Sequence, residues 1–480
     1  ANSTATYAVT ENVADQKMKA QEGKIVDDAY PFTPSKIDRT KEPDFLANTP
    51  SFNVPKIWTK ELTNGIKVQG IVNTEIPMIT FSMTMGGGRL FDAKGKNGTA
   101  YLTAALMNEG TELRTPAQLA KDIAMLGANV NVSAGLEDIT IRGNCLARNF
   151  PKVMSIIEEM ILHPRYDAAE LENIKARVSV MIKQNSVNPQ SIAGGAASKL
   201  LFGKESPLAI PAYGTAATLT AITMDDIKAH YEKYTTPKLC KFNIVGSATA
   251  PEVEKTIASL VKKWNGKDVT IPAPYIGKAA QTNKIYFIDQ PGAQQSVIML
   301  IKKGPLYTNN DFYPCVILNR ALGSGSNGIL FEVLRLQKGY TYGAYSNFSG
   351  NKYYGLFNAS SSVQGSVTRE AVDLFNDIIR NYGSEYTQEK LDETKAAMLK
   401  ENCGSMETQD AMLGMLSTIS DYGKPQNYML EQEQVIKNMT LEQIKDIAAK
   451  YLKSAEFIYV VVGDAKTQLS RFIGAELIEK

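Results

Sequence analysis

The sequence predicts an α+β protein of two homologous domains. Each is a mainly antiparallel mixed sheet with helices packed on one face, and the two face each other across a cleft. Three observations predict this. "TMDDIKAHYEKYTTPKLCKFNIVG" (Thr223–Gly246) aligns without gaps to "TLEQIKDIAAKYLKSAEFIYVVVG" (Thr440–Gly463), 217 residues later. Both segments read as an amphipathic helix, a short turn and a buried strand. "YDAAELENIKA" (Tyr166–Ala176) matches "YTQEKLDETKA" (Tyr386–Ala396) at an offset of 220. Each copy also opens with strands, "MITFSMTMGGG" and "QSVIMLIKKG", and closes helix-then-strand, an order that suits an antiparallel or mixed sheet.

Along the chain, residues 1–52 are polar, with four prolines between Pro31 and Pro50, and read as an arm. Order is expected from "KELTNGIKVQGI", where Asn64-Gly65 predicts a two-residue hairpin turn. The first domain is expected over 53–264. Its helix with Phe150, Val153, Ile156, Ile157 and Met160 at helical spacing has a counterpart in Val372, Phe375, Ile378 and Ile379. Turn residues and prolines over 265–283 predict a linker, and the second domain follows over 284–480.

Composition excludes several function classes. Hydrophobic residues make up 44% and charged residues 21%, and net charge is +2. These values fit a globular protein and argue against nucleic acid as a partner. No apolar run approaches the roughly 18–20 residues of a transmembrane helix. Cys145, Cys240, Cys315 and Cys403 lack metal-ligand spacing and read as core thiols. The start "ANSTATYAVT" is what a removed secretory signal leaves, so a periplasmic or otherwise exported location is expected; a trimmed recombinant chain leaves the same start.

The catalytic options are few. His163 and His230 are the only histidines, and neither has a second one at metal-sharing spacing. The copy partner of His230 is Ile447, so His230 reads as a packed residue. There is no G-x-S-x-G elbow, and "MGGGRL" lacks the lysine and hydroxyl of a phosphate loop.

The glycine bend, "GTAYLTAALMNEGTELRT", "LGANVNVSAGLEDITI" and the repeat together resemble the insulinase/pitrilysin family of inverted-zinc metallopeptidases. That family includes the mitochondrial processing peptidases and two-subunit bacterial relatives. The resemblance covers about residues 55–475. The family's H-x-x-E-H falls on Tyr101, Leu102, Thr103, Ala104 and Ala105, followed in register by Gly110-Thr111. Both histidine positions are thus Tyr101 and Ala105, and the general-base position is Ala104. The third ligand, a glutamate, is expected at Val180 or Met181; no Asp or Glu occurs from Asn173 to Lys204. Zinc needs N, S or O donors, so no metal is expected in this chain.

The resemblance also implies what was kept. The family's arginine–tyrosine pair, seven residues apart, matches Arg335 and Tyr342 in "GSGSNGILFEVLRLQKGYTYGAYSNFS". The residues predict a helix over Ile329–Lys338, a left-handed stop at Gly339 and a strand over "YTYGAYSNF". A guanidinium can hold a substrate carbonyl, and a phenol can donate to an oxyanion. "NVNVSAGLEDITI" matches the family strand that accepts an extended peptide, which makes Asn131 and Val132 candidate substrate contacts. The implied function is that of a zinc-lacking subunit of a heterodimeric metallopeptidase. A partner carrying H-x-x-E-H would hold the zinc, and the substrate would be a peptide or unfolded protein. Two alternatives stand beside it: a structural or assembly protein, and a peptide-binding module without hydrolysis.

Overall fold

The computed structural model describes residues 35–38, 40–41 and 53–479. The chain divides into two compact units, 1–49 and 50–480. Of the first unit, the described part is a turn in which the Asp38 carboxylate accepts from Thr40 N–H at 3.1 Å. The rest of the expected arm lies outside the described residues.

The second unit holds both copies. The first copy runs β1 (Ile57–Glu61), β2 (Lys67–Val72), β3 (Met78–Gly86), α1 (Thr99–Met107), α2 (Pro116–Met125), β4 (Asn129–Ala134) and β5 (Asp138–Leu146). It continues through α3 (Phe150–Leu162), α4 (Ala168–Val187), α5 (Pro189–Phe202), α6 (Met224–Tyr234), β6 (Lys241–Gly246) and α7 (Ala250–Lys263). The second copy runs β7 (Lys284–Asp289), β8 (Gln295–Lys303), α8 (Phe312–Gly323), β9 (Thr341–Gly350) and β10 (Gly355–Gln364). Then come α9 (Thr368–Glu385), α10 (Gln388–Cys403), α11 (Gln409–Tyr422), α12 (Tyr428–Asn438), α13 (Leu441–Tyr451), β11 (Ile458–Gly463) and β12 (Glu476–Ile478).

The sheets are the same device built twice. Their orders are β1-β2-β6-β3-β5-β4 and β12-β7-β11-β8-β10-β9. In each, the closing strand of the copy inserts beside its opening strands, parallel to one and antiparallel to the other. The copies differ at the outer edge. There β1 pairs antiparallel with β2, whereas β12 pairs parallel with β7.

The hairpin between β1 and β2 departs from the two-residue turn. Leu62 N–H donates to Ile66 O at 2.9 Å, which encloses Thr63, Asn64 and Gly65. Gly65 has φ 98°, while Asn64 is not among the positive-φ residues. An Asn-Gly turn of two residues needs positive φ at both, so the chain closes with three and glycine alone supplies the left-handed step.

One face of each sheet packs on its own copy's helices. Phe81, Met83, Ile141 and Phe242 meet α3 and α7 in the first; Phe287, Leu300, Phe357 and Val461 meet α8, α9 and α13 in the second. The opposite faces are covered reciprocally, each by a helix of the other copy. From the first copy, α5 lays Ile192, Ala193, Ala196, Ala197 and Leu201 on Tyr286, Val297, Ile301, Ile458 and Val460. From the second, α11 lays Leu413 and Leu416 on Ile71 and Val245. Polar contacts also join this second seam. Gln69 Nε2 donates to Asn243 Oδ1 at 2.8 Å and to Leu416 O at 2.5 Å, and Lys241 pairs with Asp421 at 2.7 Å.

The stretch 265–283 contains no helix or strand. It runs along the end of α5, where Gly277 N–H donates to Phe202 O and Ala280 N–H to Leu200 O, both at 2.7 Å.

Candidate functional site

Helix α1 begins where the sequence places it. Gly98 turns the chain at φ 106°, and the Asp92 carboxylate accepts from Gly98 N–H and Ala100 N–H, both at 2.8 Å. A carboxylate there satisfies orphan donors and opposes the helix dipole. Burial nonetheless pushes the Asp92 carboxyl up to about 6.

The helix then meets α4 at the corner where the resemblance puts a metal. Tyr101, Ala105 and Met181 come together there around Leu102, Leu171, Ile174 and Val178. Tyr101 sets its ring edge-on to Tyr213 at 6.3 Å. Ala104 turns the other way, into the sheet core with Met83 and Met107. The corner is therefore filled with hydrocarbon and the phenol rings of Tyr101, Tyr166 and Tyr213. Among the described residues, no three His, Cys, Asp or Glu side chains are grouped to hold a metal. The donor set zinc needs does not fit this corner.

The histidines lie elsewhere. His230 is buried, with Nε2 at 2.8 Å from Gly87 O, its ring against Tyr234, and its pKa lowered by burial. His163 stands on the surface, 3.3 Å from Glu112. Cys145, Cys240 and Cys315 are core thiols as expected, but Cys403 is exposed. It is the last residue of α10, beyond the helix's final buried residue Met398, so no core reaches it.

Strand β4 is one of the two edge strands of the first sheet. Asn131 is exposed on it, and the Val132 side chain is buried. A cavity of about 450 Å³ opens beside this edge, lined by Ala105, Leu119, Ile123, Val130, Asn131 and Met160. Glu109 and Arg177 also line it and pair with each other at 2.6 Å.

The second copy assembles the other candidate residues. The segment after the exposed "SGSN" loop makes one α-turn, Ile329–Phe331, and widens into a π-helix over Glu332–Gln337. The sequence predicts an ordinary helix here; π-turns are frequent at functional sites. Gly339 ends the segment at φ 65°. Strand β9 follows at the free edge of its sheet and bulges at once: Thr341 faces Val363 and Ala344 faces Ser361, so Tyr342 and Gly343 together oppose Ser362.

Buried hydroxyls hold the bulge. Thr341 Oγ1 donates to Ser362 O at 2.6 Å and accepts from Gly343 N–H at 3.0 Å, while Ser361 Oγ donates to Gly343 O at 2.8 Å. The bulge throws Tyr342 outward to 81% exposure. The guanidinium of Arg335 lies over its ring, 4.8 Å from the centroid.

Among the contacts that tie this edge to the first copy, one lies at the bulge itself. Gln190, at the start of α5, donates from Nε2 to Ser362 Oγ at 2.7 Å. Only Asn188 separates α5 from α4, and Met181 lies six residues before α4 ends, about 9 Å along the helix. The apolar corner and the Arg335–Tyr342 edge thus flank one turn of the chain. No sequence signal marks Gln190, Thr341 or Ser361, because uncharged polar residues carry no periodic or motif pattern.

Two interlocked α+β copies, a helix corner without histidine or carboxylate and an exposed arginine–tyrosine edge are what the resemblance to a zinc-peptidase fold without its zinc ligands implies. Residues 71–209 match the family described as "Insulinase (Peptidase family M16)" and residues 221–398 that described as "Peptidase M16 inactive domain"; the chain belongs to this family. It is 24% identical over 296 residues to an "uncharacterized zinc protease YmxG" of Bacillus subtilis, covering 61% of this chain and 70% of that one. It is also 24% identical over 404 residues to a "non-peptidase homolog YmxG" of Helicobacter pylori, covering 82% of this chain and 91% of that one. Among solved structures, a peptidase M16 inactive domain from Pseudomonas fluorescens superposes with a TM-score of 0.78 at 23% identity, over 85% of this chain and 98% of the other. A Helicobacter pylori protease gives 0.77 at 18% identity, over 86% and 100%. These structures share the fold.

Proposed function

We propose that this chain is the zinc-free subunit of a heterodimeric zinc metallopeptidase. It contributes peptide binding and transition-state stabilisation to a partner that carries H-x-x-E-H and the zinc. The observation that carries this reading is the Arg335–Tyr342 stack. Tyr342 has its hydroxyl in solvent, on a strand edge, held by a bulge with its own buried hydroxyl network. A scaffold gains nothing from an 81% exposed tyrosine presented this way. The guanidinium would hold a substrate carbonyl, and the phenol would donate to the oxyanion that forms when zinc-bound hydroxide attacks.

A second reading, a catalytically inert assembly or peptide-binding protein, is favoured by the packed apolar corner of Tyr101, Ala105 and Met181. The description of the Helicobacter relative as a non-peptidase suits either reading.

The test is coexpression with an H-x-x-E-H homologue from the same genome. The expected result is a co-purifying complex that cleaves peptides, with neither chain active alone. The complex is expected to hold one zinc, and this chain purified alone to hold none in stoichiometric amount. A zinc-containing partner that is fully active by itself and ignores this chain would favour the second reading.

A further inference from the structure

Residues along an antiparallel pair alternate between those bonded to the neighbouring strand and those whose peptide groups face away. On an edge strand the outward groups are a template for an added strand. In β4 the alternation puts Val130, Val132 and Ala134 in one set, and Val132 at its centre is already engaged from outside.

The side chain of Asn108, the residue that ends α1, does this. Its Oδ1 accepts from Val132 N–H at 2.9 Å, and its Nδ2 donates to Val132 O at 2.9 Å and to Ala104 O at 3.0 Å. Both protons and the oxygen of the carboxamide are in use. A carboxamide offers a donor and an acceptor side by side, as the backbone of a pairing residue does.

We infer that Asn108 is a built-in cap on the edge of β4, its amide standing where the central residue of an added peptide strand would pair. The cap closes the position at which an extended peptide would dock through Asn131 and Val132. It also ties the end of α1 to the sheet, because the Ala104 carbonyl is one of the helix's orphan acceptors.

The second copy uses a variant of the same device. Asn319 on α8, which packs beside edge strand β9, donates to Ser346 O at 2.7 Å and accepts from Ser346 Oγ at 2.7 Å. It holds the carbonyl and leaves the Ser346 N–H to other partners. Edge strands β4 and β9 are thus each pinned near the middle by an asparagine of the adjacent helix. On β9 the pin lies four residues from Tyr342, which remains exposed. The inference stands on these distances and does not depend on the heterodimer reading.

The test uses the full chain. Residue-resolved hydrogen exchange at Val132 N–H is expected to be at least 10-fold slower in the wild type than in Asn108→Ala, with Val130 N–H alike in both. A fluorescein-labelled Lys-Thr-Val-Thr-Val-Thr-Lys peptide is expected to bind Asn108→Ala at least 10-fold more tightly than the wild type. Should Asn108→Ala fail to fold, Asn108→Gln keeps the amide but displaces it by one methylene, and the same directions are expected. Equal Val132 exchange in wild type and variant, or equal probe binding, overturns the cap.

Discussion

The guanidinium carbon of Arg335 lies 4.8 Å from the centre of the Tyr342 ring. The two residues belong to different elements, a π-helical stretch and an edge strand, separated by the left-handed step at Gly339. Arg335 also directs Nη1 toward Thr341 O at 3.5 Å. The stack is worth about 0.5–1 kcal/mol at an exposed site, so it orients the arginine without locking it.

Tyr342→Phe keeps the ring under the guanidinium and removes only the hydroxyl. Stability and assembly are expected to stay within about 0.5 kcal/mol of wild type. Under the proposed function, kcat of the reconstituted peptidase should fall about 100- to 1000-fold, the usual cost of a lost oxyanion donor. Arg335→Ala is expected to raise KM as well. Steady-state kinetics on a complex verified by size exclusion checks both; wild-type turnover with Tyr342→Phe would remove the tyrosine from the chemistry.

Thr341→Val is nearly isosteric and deletes the hydroxyl that bonds Gly343 N–H and Ser362 O inside the bulge. Leaving such buried groups unpaired costs about 1–3 kcal/mol. Denaturant unfolding should show that loss. Activity should fall further than stability predicts, because the bulge sets where Tyr342 points.

Asp138 gives a pH signature. It sits near the seam under α11 with Thr140, Lys241, Asp421 and Glu137 around it, and burial, then Asp421, raise its carboxyl to about 6. The unfolded chain releases that proton near pH 4. The folded state therefore holds the proton more tightly, and this group's contribution to stability rises as pH falls from about 6 to about 4, then levels off. Asp92 acts in the same direction. Asp138→Asn should be more stable than wild type at pH 7, by about 3 kcal/mol, and close to it near pH 4. Thermal melts at both pH values decide; equal stabilisation at both would show that charge is not the cause.

The exchanged helices predict mutual dependence. Expressed alone, residues 284–480 lose α5 and expose Tyr286, Val297, Ile301, Ile458 and Val460. An apolar face of this kind exceeds what soluble monomers tolerate, so the half is expected to aggregate. Coexpression with residues 53–283 should recover a soluble complex. A soluble, folded second half alone would mean that α5 contributes little to the sheet it covers.

Much of this protein was legible in its sequence. The register of Thr223–Gly246 against Thr440–Gly463 is the register of α6–β6 against α13–β11. That neither histidine nor carboxylate stands at Tyr101, Ala104, Ala105 and Met181 follows from residue identity alone. His230 reads as packed because its counterpart is apolar, and it is. The spacing of Arg335 and Tyr342 around Gly339 already implied a helix stop and a strand.

What only the tertiary structure decided was the identity of partners. Periodicity reports that a face is buried, not what buries it. The small apolar residues of α5 would pack on either sheet, and only the folded chain places them on the other copy's. Asn108 and Val132 are 24 residues apart, and their side chains give no hint of pairing. The bond exists because α1 ends where β4 runs past it. Cys403 looks like its fellow cysteines until the core beneath α10 runs out. Hydrogen bonds of uncharged side chains depend on positions good to a few tenths of an ångström, and such positions are fixed by packing across the whole unit rather than by any local stretch of residues.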